Sequence, residues 1–248
     1  MPQNLEHSHE PTAIRQRLAA ASRPSYLPDA ILGGIDGCVT TLAVVASVAG
    51  AGLPGTVAFV LGLASLIADA FSMGVSNYQA VKSTDDTRAM LREQENRHVD
   101  VDPDGERDEI RAIFEAKGFE GQALETIVAT ITRDRALWVD TMLVEEHGVA
   151  LTGPSATHAG AATFATFVLI GAIPLVPFLI PVLTGTQAFL TTGVITVAAL
   201  FGIGYAKGVI LHMNRWRAGI QTLAMGGGAA AVAFLVGAFF EPMLRSFY

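Results

Sequence analysis

The chain has 248 residues, of which 51% are hydrophobic and only 16% charged, with a net charge of −7 and a mean hydropathy of +0.43. Soluble domains usually carry about 25% charged residues, so this composition favours a membrane protein. The acidic balance argues against a nucleic-acid-binding protein, which needs a basic face, and the single cysteine, Cys38, excludes an internal disulfide.

The N-terminal 24 residues are polar and lack the apolar core of a signal peptide. They are therefore predicted to form a disordered cytosolic tail. His7 and His9 in this tail belong to a metal-binding residue type, and their role stays open.

Five apolar stretches follow, each close to the roughly 20 residues that cross a bilayer as a helix. They cover residues 30–51, 55–79, 159–182, 187–208 and 217–240. The chain is thus predicted to be an all-α polytopic membrane protein. Its transmembrane helices 1–2 would lie in 25–81 and helices 3–5 in 159–240, before a short non-cytosolic tail at 241–248.

Lysine and arginine are distributed very unevenly between the two sides of these spans. Fifteen of the 16 lie in 1–29, 82–158 and 207–217, and the remaining one is Arg245. Because positive residues concentrate on the cytoplasmic side, the N-terminus is predicted to be cytoplasmic and the C-terminus outside.

The insertion between spans two and three, residues 82–158, holds 17 of the 23 acidic residues. From Tyr78 to Asp102 no glycine or proline interrupts the chain, so the second span is predicted to continue as one long helix. Pro103 suits the first turn of a second helix, which Gly118 ends. Two further helices, 119–132 and 133–148, complete a predicted cytosolic helical bundle.

Two aspartates, Asp36 and Asp69, lie well inside the first and second spans. An ionisable residue there costs at least about 2.5–3.5 kcal/mol and points to function; the alternative is a helix-packing role through hydrogen bonds. Polar residues recur every four positions along the second span, and the first span pairs Asp36 with a threonine. Together these side chains would line a hydrated polar path, which consists of Asp36, Thr40, Ser65, Asp69, Met73 and Asn77.

Small residues and prolines mark the predicted packing of the spans. Glycines allow helices to approach closely, and prolines kink them. The glycines are Gly33, Gly34 and Gly37 in span one and Gly226–Gly228 in span five, and the prolines are Pro174, Pro177 and Pro181 in span three.

Three pairs of metal-binding residue types in the acidic insertion each share one face of a predicted helix. Carboxylates, one imidazole and one thioether together favour divalent iron or manganese. The alternative is a solvated acidic face, since some such pairs arise by chance. The candidate ligands are Glu95 and His98, Glu106 and Glu109, and Met142 and Glu146.

The Glu-x-x-His spacing of Glu95 and His98 also allows a ferritin-like di-iron ferroxidase or a metal-sensing membrane protein. Ferritin-like centres need two such motifs, whereas Val144 and Ser155 stand three residues before the other nearby histidines, His147 and His158. No nucleophile elbow or phosphate-binding glycine loop supports other enzyme classes.

Four segments resemble the vacuolar iron transporter family, which includes bacterial members and plant nodulin-like relatives. They are DAILGGIDGCVTTLAVVASVAGAG, GLASLIADAFSMGVSNYQAVKS, WVDTMLVEEHGVAL and GIQTLAMGGGAAAVAFLVG. The resemblance covers about residues 25–240. It implies a homodimeric, proton-coupled exporter of Fe²⁺ and often Mn²⁺, with the ion path between the first two spans of each protomer and a cytosolic helical metal-binding domain.

By this resemblance the family's intramembrane aspartate falls on Asp36 and its methionine on Met73. Its first glutamate pair falls on Glu95 and His98, so an imidazole replaces a carboxylate. Its second pair falls on Glu106 and Glu109, and its Met-Met and glutamate on Met142, Leu143 and Glu146. Ser65 stands where plant members have glutamate, and Asp69, one turn further on, is the residue expected to replace it.

The sequence therefore predicts a transporter and not an enzyme: a proton antiporter that exports divalent iron and/or manganese for homeostasis and detoxification. Asp36, Asp69 and Met73 would coordinate the ion, and both aspartates would accept protons. No permanently bound cofactor is expected; Fe²⁺ or Mn²⁺ is the cargo, with Zn²⁺ and Co²⁺ as further candidates. The expected partners are lipid, metal ions, protons and a second copy of the chain, with no nucleic acid, in a bacterial inner membrane or alternatively a vacuolar membrane.

Overall fold

The computed structural model describes residues 8–20 and 24–245. Throughout these ranges the regular structure is helical, which confirms the all-α prediction. The helices are α1 (Pro11–Ala20), α2 (Leu27–Gly50), α3 (Gly55–Val101), α4 (Pro103–Ala116), α5 (Gly121–Arg133), α6 (Arg135–Glu145), α7 (Ala156–Gly171), α8 (Gly185–Ile210) and α9 (Arg215–Arg245), with a 3-10 segment at Ile173–Leu179.

Among the described residues, five helical segments are long and apolar enough to cross a membrane, as the sequence predicts. The third runs over Ala156–Leu179 and changes from α-helix to 3-10 helix after Gly171. Pro174 and Pro177 lie in the 3-10 part, where their missing backbone N–H groups prevent α-helical hydrogen bonding.

The N-terminal region differs from the disordered tail that its composition suggests, because Pro11–Ala20 forms α1. Pro11 occupies the first helical position, where proline is favoured. His9 precedes this helix, and His7 lies outside the described residues.

The chain divides into two compact units. The charged unit comprises Met1–Pro24 and Ala80–Ser155, and the apolar unit comprises Ser25–Gln79 and Ala156–Tyr248. In the charged unit α4 packs on α5 and α5 on α6. Their apolar faces enclose a core that includes Val99, Ile110, Val128, Trp138 and Met142.

Two aspartates begin helices of the charged unit. The side chain of Asp102 accepts a hydrogen bond from Gly105 N and caps α4, and that of Asp134 accepts bonds from Ala136 N and Leu137 N and caps α6. Such caps satisfy backbone donors that the first helical turn leaves unpaired, so both helix starts are encoded locally.

In the apolar unit α2 is the central helix. It packs against α7, α8 and α9, and 44% of its apolar window is buried, against 11% for α9. Glycines make the α2–α7 contact close: a Cβ added at Gly33 would lie 2.2 Å from Thr163 O, and one at Gly37 would lie 2.4 Å from Phe167 O.

Gly37→Ala is expected to destabilise the apolar unit by about 1–3 kcal/mol, because the added methyl overlaps the α7 backbone. The matched control is Gly227→Ala in α9, where no described residue places a heavy atom within 4 Å of the new Cβ. Thermal unfolding in detergent should show a lower Tm for the first variant only. Equal Tm values for the two variants would contradict this packing.

Candidate metal centre and membrane path

Glu95, on the C-terminal part of α3, is the centre of a cluster in the charged unit. Its side chain is only 1% exposed. The Oε1 atom lies 3.0 Å from Nε2 of His147 and 3.8 Å from Nδ1 of His98. The Oε2 atom is buried and has no hydrogen-bond partner within the described residues. Only one of the two carboxylate oxygens is therefore paired among them.

Glu106 brings a second buried carboxylate from the first turn of α4. It is 5% exposed, and its Oε1 lies 3.3 Å from Nδ1 of His98. Its Oε2 is likewise buried and unpartnered in the part of the chain that the structure describes. The Asp102 cap positions this turn, because the backbone N–H of Glu106 donates to Asp102 O at 3.1 Å.

Glu146 and His147 enter the cluster from the end of α6. The backbone N–H groups of both residues donate to Met142 O, at 3.0 and 3.3 Å. Gly148 follows with φ +65°, a left-handed conformation that ends the helix at low cost. This helix end therefore directs an imidazole and a carboxylate towards Glu95.

These residues form two groups suited to holding a metal ion, one of Glu95, Glu146 and His147 and one of Glu95, His98 and Glu106. Within each group the ligand atoms lie within 4.8 Å of one another. Ligand distances of about 2.0–2.6 Å to divalent ions are compatible with that spread. Glu95 belongs to both groups.

The structure brings together four of the six ligands predicted for this domain: Glu95, His98, Glu106 and Glu146. Glu109 is outside both groups, although its charge acts on Glu106. Met142 is fully buried in the apolar core. His147 was missed because its contact with Glu95 spans 52 residues and follows no short sequence motif.

The crowded carboxylates shift protonation in the cluster. Burial, and then the charges of Glu109 and Glu95, raise the pKa of Glu106 to about 7. Burial raises the pKa of Glu146. The hydrogen bond to Glu95 raises the pKa of His147. The metal-free cluster therefore holds protons that a bound cation would displace.

Stability of the metal-free charged unit is expected to fall as pH rises from about 5 to about 8. Folded Glu106 keeps a proton up to about pH 7, because its pKa is raised, whereas the unfolded carboxyl loses it near its ordinary pKa of 4.5. That stabilisation is lost as pH rises through the folded pKa. The raised pKa of His147 acts in the same direction.

Urea unfolding of chelator-treated protein, followed by Trp138 fluorescence in a Trp216→Phe background, measures this dependence. Glu106→Gln should reduce its slope, because the amide does not titrate. A stability that rises across this pH range would contradict the assignment.

In the apolar unit Asp36 and Met73 line the same cavity, of about 690 Å³. Lys207, from α8, and Met225, from α9, also line it, together with apolar side chains of α2 and Leu211. The carboxylate and thioether that the sequence predicts as ligands are thus brought to one space.

The other four predicted path residues are not among the described residues that line this cavity. Ser65 Oγ donates to Asp69 Oδ2 at 2.6 Å. Thr40 Oγ1 donates to the backbone oxygen of Asp36 at 2.9 Å.

Asn77 has a structural role at the end of the apolar part of α3. Its Nδ2 donates to Asp29 Oδ1 at 2.7 Å, to Thr163 Oγ1 at 2.8 Å and to Ala159 O at 3.3 Å. The amide donors of Asn77 are therefore used to join α3 to α2 and α7.

The sequence matches known proteins over most of its length. A protein-family sequence model described as "VIT family" matches residues 27–238. The chain is 34% identical over 209 residues to "Vacuolar iron transporter 1" of Oryza sativa subsp. japonica, covering 83% of this chain and 82% of that protein. It is 34% identical over 210 residues to the protein of the same name from Arabidopsis thaliana, covering 83% of this chain and 82% of that protein. It is 29% identical over 225 residues to "Vacuolar iron transporter" of Toxoplasma gondii, covering 87% of this chain and 74% of that protein.

Proposed function

The chain belongs to the VIT family, and from that premise we propose that it is a secondary transporter that exports Fe²⁺ from the cytosol in exchange for protons. The names of its relatives support iron as the cargo. Mn²⁺ is proposed as a second cargo, because carboxylate oxygens suit both ions. The five membrane-spanning helices support a membrane location.

The observation that carries the proposal is the cluster centred on Glu95. Two carboxylates are almost fully buried, and each has an oxygen without a partner among the residues described. Buried carboxylates are costly unless they are paired or bind a cation. The charged unit would therefore collect the ion before transport.

Within the membrane, Asp36 and Met73 are proposed to coordinate the ion in transit, since both line one cavity. Asp69, hydrogen-bonded by Ser65, is proposed to accept a proton and to supply the carboxylate that plant members have one turn earlier. Asp36 is the second candidate proton acceptor.

A homodimer is proposed because one chain brings only Asp36 and Met73 as predicted ligands to the cavity, and a two-fold axis would double that set. The lysine and arginine distribution supports a cytoplasmic N-terminus and charged unit, with the C-terminus outside. The proposed membrane is the bacterial inner membrane, with a vacuolar membrane as the alternative that the relatives' names favour.

Purified chain in proteoliposomes tests the proposal with a fluorescent Fe²⁺ indicator and an imposed pH gradient. We expect Fe²⁺ flux that accelerates when protons are driven in the opposite direction, together with counter-movement reported by a pH dye. Flux that ignores the gradient would reject antiport, and no flux of Fe²⁺ or Mn²⁺ would reject the transporter itself.

A further inference from the structure

His147 occupies an acidic environment in the charged unit. Its side chain is 18% exposed, and its Nε2 lies 3.0 Å from Glu95 Oε1 and 3.7 Å from Glu146 Oε2. The charge of Glu109 also acts on this imidazole. An imidazole nitrogen thus faces two carboxylates from two different helices, α3 and the end of α6.

The contact between His147 and Glu95 uses only one oxygen of that carboxylate. The side chain of Glu95 is only 1% exposed. Its Oε2 atom has no hydrogen-bond partner in the described ranges. A salt bridge through Oε1 alone would leave this oxygen desolvated and without a hydrogen bond, which is unfavourable for a buried carboxylate. A cation bound by the group could be coordinated by this Oε2 atom, which would then have a favourable partner.

We propose that His147 is a metal ligand of the Glu95 cluster and that its nitrogen makes the cluster prefer Fe²⁺, Co²⁺ and Zn²⁺ over Mn²⁺. Each of the two groups then contains one imidazole, His147 in one and His98 in the other, beside the shared Glu95.

The selectivity follows from the donor atoms. Imidazole suits iron and later divalent metals, whereas sites of carboxylate and water suit Mn²⁺. Intrinsic affinities rise from Mn²⁺ through Fe²⁺ and Co²⁺ to Cu²⁺ and fall again at Zn²⁺. Exchanging an oxygen donor for a nitrogen donor strengthens that order. The inference rests on the proposed function only in taking divalent metals as the cargo.

Equilibrium binding to the full chain in detergent tests the inference, with Co²⁺ and Mn²⁺ as the two probes. Removing a ligand should cost at least the roughly tenfold affinity loss that follows removal of an outer-shell partner. His147→Leu is therefore expected to weaken Co²⁺ binding at least about tenfold and Mn²⁺ binding by less than about threefold. His212→Asn is the control, because His212 is outside the cluster and asparagine tolerates its positive φ of 52°.

Proton NMR of the Co²⁺-loaded chain separates ligation from a supporting hydrogen bond. A Co²⁺-bound imidazole gives an exchangeable, strongly shifted N–H signal. The native chain should show such a signal that His147→Leu and His147→Gln both remove and that the control retains. Retention of every shifted signal in His147→Leu, or restoration of Co²⁺ affinity by His147→Gln, would overturn ligation.

Equal weakening of both metals, or no weakening of Co²⁺, would overturn the selectivity. Because binding is measured at equilibrium and without a membrane gradient, the transport proposal fails by a different result. Intact Co²⁺ selectivity with no flux would reject transport alone. Intact flux together with unchanged Co²⁺ affinity in His147→Leu would reject this inference alone.

Discussion

Asp36→Ala is expected to reduce Fe²⁺ flux in proteoliposomes at least about tenfold, because it removes the carboxylate that lines the cavity shared with Met73. An intramembrane charge is costly and is retained mainly for function, so the variant should fold at least as well as the native chain. Asp36→Asn should also reduce Fe²⁺ flux, since an amide has no negative charge to attract the ion. Flux is measured with an Fe²⁺ indicator at a fixed pH gradient.

The matched comparison for this prediction uses two thioethers of one cavity. Met73 and Met225 both line it, but only Met73 is a proposed ligand. Met73→Leu should therefore reduce Fe²⁺ flux severalfold, whereas Met225→Leu, a change of similar volume, should leave it near the native rate. If Asp36→Ala and Met73→Leu both transport normally, the ion does not follow this cavity.

Glu95→Gln is expected to abolish the metal-dependent stabilisation of the charged unit, because both metal-suited groups contain Glu95. At a metal concentration of about 100 times Kd, binding stabilises a protein by about 2.7 kcal/mol. An affinity loss of about 100-fold removes most of that increment. The stability of the metal-free variant should change little, since it loses both the repulsion between Glu95 and Glu106 and the charge interaction between Glu95 and His147.

Thermal unfolding with Co²⁺ and with chelator measures both parts of this second prediction. Glu93→Gln is the charge-matched control, because Glu93 is exposed on the same helix two residues away. A Co²⁺-dependent rise in Tm that persists in Glu95→Gln would show that the metal binds elsewhere. A large fall in Tm of the chelated variant would assign Glu95 a purely structural role.

Much of the fold was predictable because the signals are local. Apolar length identified the five spans, and Pro103, Gly118 and Gly148 bounded helices of the charged unit close to their observed ends. The helix Pro11–Ala20 was not predicted, since its residues have little apolar periodicity and only Pro11 marks a start.

The site was less predictable, because it depends on contacts between distant segments. Spacing within one helix predicts Glu95 and His98 as ligands, whereas the approach of His147 to Glu95 depends on where α6 ends. Asn77 shows that a residue's position on a helical face does not reveal its hydrogen-bond partners. It shares a helical face with Asp69 and Met73, yet its amide donates to Asp29 and Thr163, partners that helical periodicity does not reveal.

Glu95 also determines how the two groups of the cluster respond to each other. A residue that serves two binding events couples them thermodynamically, so filling one group must change the affinity of the other by the same factor in both directions. The titration of the charged unit with metal should then depart from a simple hyperbola, with a Hill coefficient different from one. The occupancy of the cluster would then rise gradually or steeply with ion concentration, according to the sign of that coupling.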